Sequence, residues 1–150
     1  MMAYAAKMRY YEGDDMDRVV VPPAVQDGAQ ELVLVTHDES TFYSNDSTSH
    51  AWLAQNEHIL RKKTMGGSIM VSEFLCPCHG RLQVHPDDPM YSSLEHKQAT
   101  AIIFPGQQRD GYWKSEDMLE QLKTKAIPLF EALHPGMKGM YQKDHAYICI

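Results

Sequence analysis

The segment Glu31-Leu-Val-Leu-Val-Thr-His-Asp-Glu-Ser-Thr-Phe42 constrains this chain more than any other. A short aliphatic run, Leu32 to Val35, passes into an acidic pair, Asp38-Glu39. Such a run favours extended backbone and burial on both faces, so the pattern predicts a strand over Glu31 to His37 inside a sheet. A strand of this kind delivers a carboxylate to the sheet's end, where carboxylate oxygens are the natural ligands of Mg²⁺ or Mn²⁺. The alternative reading of Asp38 is a strand-terminal residue that caps a turn.

The rest of the chain is what one soluble domain needs. Its 150 residues suffice for a sizeable core, and 43% hydrophobic with 23% charged residues is ordinary globular composition. A net charge of −6 argues against a protein that coats nucleic acid, because neutralising phosphate takes clustered Lys and Arg. The one tight basic cluster, Arg61-Lys62-Lys63, reads as a solvated loop. No apolar segment approaches transmembrane length and the N-terminus lacks a signal core, so an intracellular protein without membrane association is expected. Three cysteines, Cys76, Cys78 and Cys149, fit reduced thiols better than a disulfide framework.

Residues 1–30 read as an extended or weakly helical leader, in which Pro22-Pro23 fixes a connector. Ser44-Asn-Asp-Ser-Thr-Ser49 is a polar turn cluster. Ala51-Trp-Leu53 would begin a second strand with Trp52 packed inward. Ser68 to Leu75 is a further strand candidate, with Gly80 to Val84 as its hairpin partner, and Ala99 to Phe104 is a short apolar strand. One clear helix follows. Ser115 reads as its N-cap, with Glu116 and Asp117 complementing the dipole. Met118, Leu119, Leu122, Ala126, Leu129, Phe130 and Leu133 recur at helical spacing. Pro128 should kink it, and His134-Pro-Gly136 should end it. The pattern gives an α/β protein: a mixed sheet with antiparallel strands, followed by a packed helix.

Two further groups carry chemistry. Cys76-Pro-Cys-His79 offers thiolates and an imidazole, which are zinc ligands, with His85 and His96 as the nearest extra candidates. The spacing is tighter than the usual paired motif, and a hairpin tip with reduced thiols is the alternative. In Arg109-Asp-Gly-Tyr-Trp113, Tyr112 and Trp113 could stack on a base or pack against the helix that follows. His37 could tune a site beside Asp38 or fill a strand position.

Taken in order, Val33-Leu-Val-Thr-His-Asp-Glu-Ser-Thr-Phe42, Ser44-Asn-Asp46, Trp52, Met70-Val-Ser-Glu-Phe-Leu75, His79-Gly-Arg-Leu82, Arg109-Asp-Gly-Tyr-Trp113 and the helix to Gly136 resemble one family. It is the DDE-type endonuclease domain of transposase-derived proteins common in fungal genomes. The resemblance covers residues 31–136. It implies a ribonuclease H-like fold, partial here, with Asp38 as first acid of the catalytic triad and ligand of Mg²⁺ or Mn²⁺. Glu39 would have a supporting role. The implied reaction is metal-dependent phosphodiester cleavage and strand transfer on DNA, in the nucleus.

This chain departs from the family at residues 137–150, a divergent tail. The family continues there into an apolar strand ending in Asp-Asn, whereas Asp144 follows polar residues. The resemblance therefore implies a C-terminally truncated fragment, catalytically inactive for want of the second and third acids. Self-association through sheet edges near Leu32 to Val35 would be the cost of missing strands. Two rivals stand beside this reading: a non-enzymatic interaction module, and a small zinc-binding protein using Cys76, Cys78 and His79.

Overall fold

In a computed structural model, the protein is described at residues 2–46, 52–53, 55–56, 58, 63–143 and 146–149. The elements in order are α1 (Met2–Ala5), β1 (Tyr10–Glu12), β2 (Arg18–Val20), α2 (Pro23–Gln26), β3 (Leu32–Tyr43), β4 (Ser68–Cys76), β5 (Gly80–Arg81) and β6 (Ala101–Ile103). They continue with α3 (Ser115–Gln121), a π-helical turn (Leu122–Ala126), α4 (Ile127–Leu133), β7 (Lys138–Lys143) and β8 (Ala146–Cys149).

β3 is the spine. It pairs antiparallel with β4 on one side and parallel with β7 on the other. β4 carries both β5 and β6 on its outer edge, and β8 pairs antiparallel with β7. The α/β class with a mixed sheet is therefore present. The apolar run Leu32 to Val35 pairs with β7, while β4 takes up the pairing from Thr36 onward, and Val33 and Val35 are buried. Residues of the presumed tail thus supply a pairing strand on one side of that run.

β3 is longer than the apolar run. It continues through Asp38 and Glu39 to Tyr43, with Asp38 opposite Glu73 and Glu39 opposite Ser72. The reason is alternation. Val33, Val35, His37 and Glu39 point to the helix-covered face, while Leu34, Thr36, Asp38 and Ser40 point to the other. Backbone pairing to β4 does not depend on side-chain polarity, so the strand runs on where hydrophobicity stops.

Helix and sheet meet in one core. Val33, Val35, Phe74, Cys76 and Tyr141 from the sheet pack with Leu122, Ala126, Leu129 and Phe130 from the helix. Lys114, not Ser115, occupies the N-cap, and its backbone N–H donates to the Asp117 carboxylate at 2.8 Å. Pro128 does not break the helix. Proline has no N–H, and its ring would press on the carbonyl four residues back. The π-turn just upstream, closed by Ile127 N–H to the Leu122 carbonyl, widens the helix there and lets it continue. Gly136, at φ 80°, ends the segment in the left-handed region.

The segment after the helix joins this core through Tyr141, with Met137 packed against it. Met140 and Tyr141 are buried, and Gly139 is required by close approach. A Cβ there would lie 2.8 Å from Tyr141 Cε2 and 3.3 Å from Phe130 Cε1.

The leader is more ordered than a connector. β1 and β2 form a separate two-stranded sheet, and α2 starts at Pro23. The leader is tied to the main sheet by Leu32 N–H to the Lys7 carbonyl at 2.9 Å and by a forked Arg9–Glu31 ion pair. Trp52 and Leu53 lie outside any strand, and Trp52 is fully exposed rather than packed inward. Arg61, Lys62, Ser47 to Ser49, Ala51 and Asp144 lie outside the described residues, as does the side chain of Cys149.

The Arg9–Glu31 pair gives a pH-dependent term. Arg9 holds the Glu31 carboxyl below its ordinary value of 4.5. The folded protein then binds that proton less readily than the unfolded chain. The stabilisation is present above the unfolded value and is lost as pH falls through the folded one. The thermal midpoint should therefore decline below pH 4.5. Arg9→Met should lower the midpoint at neutral pH and make that acid decline shallower, as read by circular dichroism melts across acid pH. An equally steep decline in the variant would remove the pair from the account.

Candidate functional site

The acidic pair of β3 is split between two faces of the sheet. Glu39 lies on the helix side, where Trp113 Nε1 donates to its Oε1 at 2.9 Å. Trp113 is thus engaged beside the helix, and Tyr112 is exposed. Asp38 lies on the opposite face, exposed, with its Oδ1 accepting the Glu39 backbone N–H at 2.8 Å. Its neighbour across the ladder on that face is Glu73. Glu73 accepts from Thr100 Oγ1 at 2.7 Å and pairs with Arg81 Nε at 3.2 Å. Two carboxylates thus share one face in adjacent strands, one of them already neutralised by a cation. The expected supporting acid Glu39 is not beside Asp38, because a strand's period of two sends neighbours to opposite sides.

His37 is buried on the helix side in a polar chain. Its Nε2 lies 2.7 Å from Ser72 Oγ, which donates to Gln121 Oε1 at 2.7 Å. Gln121 Nε2 in turn donates to the Ala99 and Ser72 carbonyls at 2.7 and 3.1 Å. This chain ties α3 to β4 and to the residue leading into β6, so His37 does structural work here.

The second cluster sits where β4 ends and α4 stops. Cys76, the last residue of β4, is buried. Its Sγ lies 3.7 Å from His79 Nδ1 and 3.9 Å from His134 Nε2. The ligand atoms of Cys76, His79 and His134 all fall within 4.8 Å of one another. His134 stacks on Phe130 with ring centroids 4.5 Å apart and meets His79 edge-on at 4.8 Å. Its Nδ1 is buried without a hydrogen-bond partner. Burial pushes the Cys76 thiol up and the His134 imidazole down, each favouring its uncharged form.

Cys78 is half-buried and turns to Tyr11, whose hydroxyl is pushed up to about 12 by burial and then by its hydrogen bond to that thiol. His85 and His96 are not members of the cluster. The motif Cys76-Pro-Cys-His79 therefore contributes Cys76 and His79 to the cluster, and its third member is His134. No spacing rule pointed to it, since it is the helix-terminating residue of the His-Pro-Gly stop and reaches the cluster through the tertiary fold.

No helix among the described residues is long and apolar enough to cross a membrane. Comparison of the chain with protein-family profiles, with curated proteins and with solved structures gives no match.

Proposed function

We propose that this chain is a ribonuclease H-like domain of DDE endonuclease descent, in which Asp38 binds a single divalent ion weakly on the open face of the sheet. The observation that carries the reading is strand order. Three strands, β3, β4 and β6, pair antiparallel in sequence. The helix follows, and β7 then returns parallel to β3 on its other side. This leaves Asp38 midway along the central strand with an exposed carboxylate. A hard oxygen ligand in that place suits Mg²⁺ or Mn²⁺.

The same geometry limits the chemistry. In-line phosphodiester cleavage with two ions requires carboxylates converging from several elements. The ladder sets Asp38 beside Glu73, and Arg81 offsets the charge of Glu73. Ion binding without DNA cleavage follows.

The test is thermal unfolding of the full chain against a Mn²⁺ titration, beside a supercoiled-plasmid nicking assay. The midpoint should rise with Mn²⁺ in the millimolar range expected for sparse carboxylate sites, on the order of 10⁻³ M. Asp38→Asn should abolish the rise, and neither protein should nick plasmid. An equal Mn²⁺ response in Asp38→Asn would sink the assignment of Asp38. Asp38-dependent nicking would overturn the non-cleaving part.

A further inference from the structure

We infer that Cys76, His79 and His134 form a zinc site that clamps the end of β4 to the end of α4, separate from the acidic face. The three side chains arrive from different parts of the chain: a strand end, the turn beyond it, and the residue that stops the helix. Thiolate and imidazole donors select zinc over Mg²⁺ or Mn²⁺, so the carboxylate face and this cluster take different ions.

The distances are those of a site close to assembled. Ligand atoms around a tetrahedral zinc, at the usual Zn–S and Zn–N lengths, stand about 3.5 Å apart. Here Sγ stands 3.7 and 3.9 Å from the two imidazole nitrogens. Closing the sulfur–nitrogen gaps takes a few tenths of an ångström, and the two imidazoles, in a cluster spanning 4.8 Å, must draw together by roughly 1 Å or more. His79 can provide it, being exposed on a turn, while Cys76 and His134 are fixed by burial.

A further observation points to a ligand. His134 is 3% exposed, its Nδ1 has no hydrogen-bond partner, and its Nε2 faces nothing closer than sulfur. A metal between that Nε2 and the Cys76 sulfur would replace this long contact with a bond at a buried nitrogen. Cys78 lies outside the cluster of three, which leaves the fourth position of the tetrahedron to solvent on the exposed His79 side.

Zinc binding releases the Cys76 thiol proton to solvent, and the Zn–S bond takes its place. No electron transfer is involved, and the ion remains Zn²⁺ throughout.

The experiment is cobalt substitution of the full-length chain, followed by zinc competition. Co²⁺ should bind with one-to-one stoichiometry, giving a thiolate-to-cobalt charge-transfer band and the visible absorption of a tetrahedral ion, both erased by zinc. Cys76→Ser should lose the charge-transfer band. His79→Asn, an exposed change that leaves the core intact, should weaken binding by at least about 100-fold, beyond the loss of an outer-shell partner. Cys78→Ser and Asp38→Asn should bind as the parent does. The proposal is overturned if the parent, folded by circular dichroism, takes up no stoichiometric cobalt or zinc. It is equally overturned if the band survives Cys76→Ser, if His79→Asn binds undiminished, or if Cys78→Ser or Asp38→Asn abolishes uptake.

Discussion

Phe74→Ala should cost about 3–5 kcal/mol, a large part of the total stability of a domain this size. Phe74 is among the largest fully buried side chains and stands at the centre of the helix-facing side of β4. Its ring lies 4.6 Å from that of His37 and 6.3 Å, edge-on, from that of Tyr141. It therefore meets rings from both β3 and β7. Truncation removes its transfer free energy and leaves a cavity between sheet and helix that the rigid ladder cannot collapse into. The thermal midpoint should fall by roughly 10–15 °C. Leu75→Ala is the internal control. Leu75 is the next residue along the same strand, but faces the open side and is 41% exposed. It should cost no more than about 0.5–1 kcal/mol. Urea unfolding of both variants reads the difference, and equal losses would refute the assignment of the two sheet faces.

That contrast also shows what was legible in the sequence. The aliphatic run of β3 and the apolar content of Ser-Ile-Met-Val-Ser-Glu-Phe-Leu marked both strands, but not the faces of β4, where Ile69 and Leu75 are exposed and Ser72 is buried. The extension of β3 through Asp38 to Tyr43 was harder to read. A half-exposed strand replaces apolar residues by polar ones, and its length is set by its partner β4 rather than by its own composition. β7 was hidden for a related reason. Lys138-Gly-Met-Tyr-Gln-Lys143 reads as polar, yet Met140 and Tyr141 are buried, and the glycine is there because Phe130 and Tyr141 fill the space of a side chain.

Of the two candidate sites, the acid at position 38 was visible from a local run, but its partner across the ladder, Glu73, depends on strand register. Cys76 and His79 were visible as a motif. His134 was not, because a helix-terminating His-Pro-Gly has a complete local explanation and its second use is a tertiary one.

Gln121→Met should destabilise the protein by about 2–4 kcal/mol, although it replaces a buried polar side chain with an apolar one of similar shape. Hydrophobicity alone points the other way, since burying a thioether is more favourable than burying an amide. What decides the sign is the set of groups that Gln121 serves. Its amide nitrogen satisfies the Ala99 carbonyl at 2.7 Å and reaches the Ser72 carbonyl at 3.1 Å, and its oxygen accepts the Ser72 hydroxyl at 2.7 Å. Ser72 is fully buried, as is Ala99, so solvent cannot replace the lost partners. Each orphaned group costs about 1–3 kcal/mol. Ser72→Ala removes one of those groups. It should therefore cost less in the Gln121→Met background than in the parent, with a coupling of about 1–2 kcal/mol in a double-mutant cycle followed by urea denaturation. Strictly additive losses would mean that the two side chains do not share a hydrogen bond, and the link between α3 and β4 would then have to rest on packing alone.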